Sequence, residues 1–316
     1  MTNKDLYQKF CANEKYIPIF MQPWWLKAVC GDYWDVALVV KGDHIHAVLP
    51  YSISNKGRYS LQPKLTQFLG PYIKYPPDQK YTTKLSYEKK IMEELILALP
   101  KFTYFKHNFS PKIDNWLPFY WSGYKQTTRY SYIIPKSYNS DDVWREMAGN
   151  IRRNIQKAEK VLTVYDSDDI DLFYKLNKNI FERQSKKIPY SLSFVKSLDK
   201  ACVANEARKI YMASDKSGKI HASIYVVFDN TTVYYLMGGS DNELRTGGGT
   251  SLLMWHAIQD ALDMDLDFNF EGSMIQPIER YFSSFGSMQQ QLFTIEKDNR
   301  FLLQKLLSSI YQRFLK

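Results

Sequence analysis

The chain lacks the features that most quickly assign a protein to a class. No run of about 18 apolar residues occurs in its 316 residues, so no membrane-spanning helix is expected. The segment Met1–Lys9 is polar and has no apolar core of the kind a signal peptide needs. Cysteine is scarce: Cys11, Cys30 and Cys202 stand far apart, form no C-x-x-C pair and cannot build a disulfide framework. A cytoplasmic location is the resulting expectation. No Gly-x-Ser-x-Gly elbow is present, which removes a serine hydrolase. No Gly-Lys-Ser/Thr follows a glycine run, which removes a Walker loop, and the first βαβ unit of a dinucleotide fold is missing. His44 and His46 share a strand face without a third ligand nearby, so no metal centre is expected. His221 and His256 have no carboxylate, serine or cysteine at motif spacing.

What the chain does have is the composition of folded domains, with 45% hydrophobic and 24% charged residues. Aromatics reach 16%, with 24 tyrosines, enough both to fill a core and to line a substrate groove. The net charge of +9 favours an anionic partner such as a nucleotide cofactor, RNA or an acidic membrane surface, although solubility alone also accounts for it. The basic residues are spread along the chain, so no DNA partner is expected. Nothing in the sequence sets an oligomeric state.

Helical and strand-like segments alternate, which predicts a mixed α/β fold. Phe20–Cys30 reads as a short helix, Val36–Val40 and Ile45–Tyr51 as a hairpin turning at Lys41-Gly42-Asp43, Tyr87–Leu99 as a helix, and Phe102–Lys106 and Tyr130–Ile134 as strands. The turn-rich stretch Pro135–Asp142 marks the expected boundary between a domain over 1–137 and one over 138–316. Beyond it, Asp142 is the expected cap of one helix from Trp144 to Leu162, with Met147, Ile151, Ile155 and Ala158 on its apolar face. A helix over Asp169–Gln184 follows, then strands at Lys209–Ala213, Ile220–Phe228 and Thr232–Met237. A glycine run opens a helix to about Met264, and strands at Leu266–Phe270 and Gln291–Ile295 flank a helical segment. Asn299–Leu315, with Phe301, Leu306, Ile310 and Phe314 on one face, reads as a terminal helix within 298–316.

The run Leu244-Arg245-Thr246-Gly247-Gly248-Gly249-Thr250 lies between a strand and a helix. A helix N-terminus carries free N–H groups and partial positive charge, and glycine lets that backbone approach a ligand. Together they make an anion site suited to a pyrophosphate, with Arg245 as an added charge. A plain capping turn is the other reading of the same residues.

Arg245-x-x-Gly248-x-Thr250 resembles the Arg/Gln-x-x-Gly-x-Gly/Ala signature of GNAT acyltransferases, with Thr250 in place of the last small residue. More of the chain resembles the FemAB-like branch, in which two GNAT-like domains share one polypeptide. Phe20-Met21-Gln22-Pro23-Trp24-Trp25 is similar to that branch's F-x-Q-x-x-x-W region, and Asn150–Ala158 to its R-R-x-I-x-K-A helix. Tyr234–Ser240 resembles its central strand and turn; Phe268–Ser273 and Ile278–Gly286 resemble its closing substrate-site segment. The resemblance spans nearly the whole chain through the order and spacing of individually weak motifs. It implies tandem GNAT-like domains and an N-acyltransferase moving an acyl group from an activated donor, acyl-CoA as co-substrate, to an amine acceptor. A FemAB-type ligase using aminoacyl-tRNA on a cell-wall precursor is the alternative, and a non-catalytic binding module a third reading. Tyr281-Phe282 stands where the peptidoglycan-bridge ligases often carry Phe-Lys, and no heptad run supplies their coiled-coil arm. Donors of the acyl-CoA or acyl-carrier-protein kind therefore fit at least as well as tRNA.

Acyl transfer to an amine needs a base or water chain and a group that polarises the carbonyl. Glu271, at the end of a predicted strand, is the first candidate base, its other role being a helix cap or an arginine partner; Glu279 is the second. Tyr234 and Tyr235 alternate on one strand, so one of them faces the cleft, and Tyr235 is the candidate proton donor, with core packing open to either. The donor is expected along Thr232–Met237, with Met237, Arg245, Gly247, Gly248, Gly249 and Thr250 contacting it and Trp24 and Ser273 contacting the acceptor. Arg152, Arg153 and Lys157 form a basic helix face that is either solvated or phosphate-binding.

Overall fold

A computed structural model of the chain describes residues 1–272 and 274–300. It begins with α1 (Asn3–Asn13), α2 (Pro23–Cys30), β1 (Trp34–Lys41), β2 (His44–Ser52), β3 (Tyr59–Leu61), β4 (Tyr72–Ile73), α3 (Tyr81–Ala98), β5 (Tyr104–Asn108), α4 (Leu117–Trp121) and β6 (Lys125–Ile134). There follow α5 (Ser140–Glu146), α6 (Gly149–Glu159), β7 (Leu162–Asp166), α7 (Ile170–Arg183), α8 (Leu192–Ala204), β8 (Arg208–Asp215), β9 (Ile220–Phe228) and β10 (Thr232–Ser240). Last come α9 (Gly249–Asp263), β11 (Asp267–Asn269), α10 (Gln276–Ser283) and β12 (Met288–Asp298). The mixed α/β class read from the sequence is the class observed. Among the described residues no helix is long and apolar enough to cross a membrane.

The elements form two compact units that interleave in sequence. The first holds Met1–Glu14, Cys30–Thr128 and the chain from Leu292; the second holds Lys15–Val29 and Arg129–Gln291. These divisions lie elsewhere than the boundary expected at 137/138. Turn residues report where the chain reverses locally, whereas membership of a unit follows from which sheet a segment packs on.

In the first unit β1, β2 and β4 form an antiparallel sheet, and β5 pairs parallel with β3 and antiparallel with β12. Ile91, Met92 and Leu95, one face of α3, pack with Ala37, Val39, Ala47 and Leu49. The helix starts at Tyr81 rather than Tyr87; its first turn is exposed and leaves no apolar period to read.

In the second unit the strand order runs β6, β11, β10, β9, β8, β7, with only β10 and β11 parallel. Along β9 the side chains alternate: Ala222, Ile224 and Val226 join the core with α6 and α9, while Tyr225 meets Phe173 of α7 from the other face. The sheet is thus covered on both faces. Residues 15–29 dock here through Asp229, whose carboxylate accepts the Ile19 N–H at 3.1 Å, and through Phe20, edge-on to Tyr234 at 4.9 Å.

The single helix expected from Trp144 to Leu162 is two helices. Met147 and Ala148 are extended, and the Ala148 N–H donates to Ser284 O at 2.8 Å, which ends α5 before α6 begins. The cap of α5 is Asn139, whose Oδ1 accepts the Asp142 N–H at 2.9 Å, not Asp142. The pattern misled because Met147, Ile151, Ile155, Ala158 and Leu162 all do enter one core, and periodicity reports the buried face rather than the continuity of an axis. Leu162 already belongs to β7, and α1, β3, β4, α4, β7 and α8 add to the expected elements. β12 runs on through Asp298, and the apolar face expected for a terminal helix, Phe301 to Phe314, lies outside the described residues.

Candidate active site

The site is built around the edge where two parallel strands part. β10 pairs with β11 only over Thr232–Tyr234; β11 stops at Asn269, while β10 continues to Ser240. From Tyr235 onward β10 has no strand on that side among the described residues, which leaves a wedge lined by backbone. On the β9 side the register slips between Tyr235 and Met237, so Leu236 is an extra residue in the strand. Such a bulge bends a strand and re-aims its side chains. Here it puts Tyr235 and Gly238 on the same side, and the Tyr235 hydroxyl occupies the space a Cβ on Gly238 would need. Gly238 O accepts from Asn177 Nδ2 at 2.5 Å, and Asn177 Oδ1 accepts the Tyr190 hydroxyl at 2.9 Å, which pins this stretch of β10 to α7.

Of the two adjacent tyrosines, Tyr234 packs under Phe20 and donates to Asp229 Oδ2 at 3.2 Å, while Tyr235 meets Phe282 at 5.9 Å. Burial raises the Tyr235 pKa above the ordinary phenol value, with the charges of Tyr281, Tyr190 and Glu271 adding to it. Tyr281 is a site residue that the sequence reading did not assign. Its hydroxyl lies 3.2 Å from Ser251 Oγ, in the first turn of α9, and burial pushes its pKa up to about 12. Its only sequence signal was its place beside Phe282 in the closing segment.

Glu271 closes the far side. Ser131 Oγ donates to Asn269 Oδ1 at 2.6 Å, and the Glu271 N–H donates to the same oxygen at 2.8 Å. Glu271 and Gly272 both take the left-handed backbone, with φ of 61° and 51°. A Cβ on Gly272 would collide with Tyr130 O, so only glycine fits there. A non-glycine residue in this region costs on the order of 1 kcal/mol and persists where the surroundings demand it. Glu271 Oε1 is buried with no hydrogen-bond partner among the described residues. Burial holds its carboxyl well above the usual carboxylate range, which favours the protonated form.

The remaining expected residues are dispersed. Glu279 is engaged: its Oε1 accepts the Tyr132 hydroxyl at 2.7 Å, tying α10 to β6. Met237 is buried on β10. Trp24, half-buried, stacks edge-on with Trp25 at 5.8 Å and reaches Tyr234 only through Trp25 and Phe20. Ser273 lies outside the described residues. Arg152 turns back to Trp144 O at 3.4 Å, leaving Arg153 and Lys157 as the exposed cations of α6.

The glycine run forms a single 3₁₀ turn over Arg245–Gly247, a left-handed Gly248 at φ 80°, and then α9, with Gly249 and Thr250 in its first turn. Arg245 is exposed beside it. Contrary to the motif-spacing expectation, His221 has a carboxylate partner: Nε2 lies 3.1 Å from Asp215 Oδ2 across the β8–β9 hairpin, and Nδ1 is buried against Gly247.

Gly238→Ala is expected to lower stability by about 1–3 kcal/mol in urea unfolding, because the new methyl meets the Tyr235 hydroxyl and ring and drives that ring from its place beside Phe282.

Residues 145–272 match the family model of the acetyltransferase (GNAT) domain. The fold is shared with FemX, at 14% identity and a TM-score of 0.67, over 93% of this chain and 96% of that one. A tandem GNAT protein from the clavulanic acid biosynthesis pathway aligns at 10% identity and a TM-score of 0.50, covering 93% and 92% of the two chains. The C-terminal domain of a putative lysylphosphatidylglycerol synthetase from Agrobacterium fabrum aligns at 10% identity and a TM-score of 0.55, covering 94% and 91%. No curated protein matches the chain. Residues 145–272 thus match a GNAT-type acetyltransferase domain, and the chain shares its fold with FemX and a tandem GNAT protein.

Proposed function

We propose that the second unit transfers an acyl group from a phosphate-bearing thioester, acyl-CoA, to a primary amine. The observation that carries this reading is that Glu271, whose Oε1 has no partner among the described residues, and Tyr281 both act on Tyr235, while the Tyr281 hydroxyl meets Ser251 just after the glycine turn. The thioester lies along the unpaired side of β10 beyond Tyr235, its phosphates at the first turn of α9 through Gly247–Thr250.

The acceptor arrives as an ammonium ion. Its approach makes the charged form of Glu271 favourable, and the carboxyl proton leaves to solvent. The carboxylate then takes one proton from the ammonium, and the freed lone pair attacks the thioester carbonyl. N–H groups of β10 that have no strand partner donate to the developing oxyanion. The C–S bond breaks, the thiolate takes the Tyr281 proton, and the amide nitrogen returns its extra proton to the Tyr281 oxygen. The net products are an amide, a thiol and one proton, with Glu271 again protonated.

The decisive experiment is turnover of acetyl-CoA and longer acyl-CoA esters with a panel of primary amines. Thiol release by the wild type is expected, with kcat for Tyr281→Phe lower by about 10²-fold. Absence of release across the panel, together with no CoA binding at millimolar ligand, removes the acyl-CoA reading. The alternative donor, aminoacyl-tRNA, is favoured by the two exposed cations at the end of β10, Arg183 and Arg245; it requires tRNA binding that weakens steeply with salt.

A further inference from the structure

We propose that Arg183 is a second cationic ligand for the donor's phosphates, acting with Arg245 across the turn that follows β10. This inference rests on the donor reading above and adds to it a residue from a different element, the last residue of α7.

α7 is pressed onto the backbone of β10. A Cβ on Gly239 would lie 2.6 Å from Asn177 N and 2.7 Å from Leu176 C, so glycine at this position sets how closely the helix rides on the strand. That packing delivers Arg183 to the strand's end. There its guanidinium donates to Asn242 Oδ1 at 3.0 Å and to Ser240 Oγ at 3.2 Å. Both acceptors are neutral, and they occupy two of the five N–H groups the fork presents. The remaining donors have no partner among the described residues, and Arg183 is exposed.

The charge around it is unbalanced. Burial and then the positive charge of Arg245 lower the Arg183 pKa from its ordinary value, which places the two cations within each other's field. Asp241 is the acid that Arg183 feels, but its Oδ1 accepts the N–H groups of Glu243 at 2.8 Å and Leu244 at 3.2 Å, closing the turn. Neither arginine forms an ion pair among the described residues, whereas Arg145, Arg208 and Arg300 are each paired with an aspartate. Asp241 offsets only one of the two guanidinium charges, so a net positive field remains; an anion between them turns their repulsion into two charge-assisted contacts. The anion that fits is a phosphate group, because its oxygens accept from two forks at once while the glycine turn supplies backbone N–H groups.

The test is calorimetric titration of the full chain, as wild type, Arg183→Gln and Arg183→Lys, with CoA, dephospho-CoA, pantetheine and deacylated tRNA. Arg183→Gln is expected to weaken CoA about tenfold, with Arg183→Lys intermediate and pantetheine unchanged. The differential between phosphorylated and unphosphorylated ligands is what a purely structural tether would not produce, and unchanged thermal melting confirms that the fold is kept. If tRNA binds in place of CoA and Arg183→Gln weakens it, the phosphate contact holds and the nucleic acid is its source. Equal affinity of wild type and Arg183→Gln for every phosphorylated ligand overturns the proposal. Failure of the wild type to bind any phosphorylated ligand overturns the donor reading first, so the two failures are distinguishable.

Discussion

Glu271→Gln is expected to lower kcat/KM for acyl transfer by about 10²–10³-fold while leaving donor affinity unchanged. Glutamine keeps the size and the left-handed backbone held by Asn269, and loses the ability to take a proton. Steady-state kinetics against acceptor, with CoA titration as the control, checks both halves; wild-type kinetics in the variant would end the base assignment. The same substitution has a stability signature whose sign follows from linkage. The folded-state pKa of Glu271 lies above the unfolded value, so the folded protein binds the proton more tightly. Stability therefore falls as pH rises from the ordinary carboxylate range, about 4.3, through the folded pKa. Glu271→Gln removes that slope, so the variant gains stability relative to wild type at about pH 8 and not at about pH 4. Melting temperatures at the two pH values read this directly. Loss of activity together with a flattened pH slope identifies one buried carboxyl as the source of both.

Gly248→Ala is expected to destabilise by about 2–4 kcal/mol and to abolish measurable donor binding. Two causes add. Alanine is strained at φ 80°, and its Cβ would collide with Asn154 O of α6, a backbone atom that does not swing aside. Relief requires α6 and α9 to separate, which moves the N–H groups of the first turn of α9 away from the place proposed for the donor's phosphates. Gly247→Ala is the matched control: its Cβ meets only the His221 ring, at 3.3 Å, and its backbone is not left-handed, so a cost under about 1 kcal/mol is expected. Urea unfolding with and without CoA measures both effects. If Gly248→Ala is as stable as Gly247→Ala, the packing account of this glycine is wrong.

That pair shows how far a glycine run can be read. Three consecutive glycines before an apolar helix indicated a close backbone approach, and the approach is there. Its partner at Gly248 is the backbone of α6, so this glycine serves helix packing in addition to the ligand contact expected from the sequence. Arg183 and Tyr281 stayed invisible for a related reason. Each is an ordinary residue on an ordinary helix, and each gains its place only because α7 rides on Gly239 and because α10 brings Tyr281 to Ser251.

By itself the sequence determined the mixed α/β class, the three-strand meander, the strand–glycine–helix order and the family resemblance of the second half. All of these are encoded in local period, turn chemistry and spacing along the chain. The tertiary structure alone decided the rest: which of two adjacent tyrosines faces the wedge, that a bulge at Leu236 turns Tyr235 over Gly238, and that Glu279 is tied to Tyr132. It also decided that one oxygen of Glu271 has no partner among the described residues. Those facts depend on desolvation and on contacts between residues more than a hundred positions apart, such as Ser131 with Asn269, and no local pattern carries them.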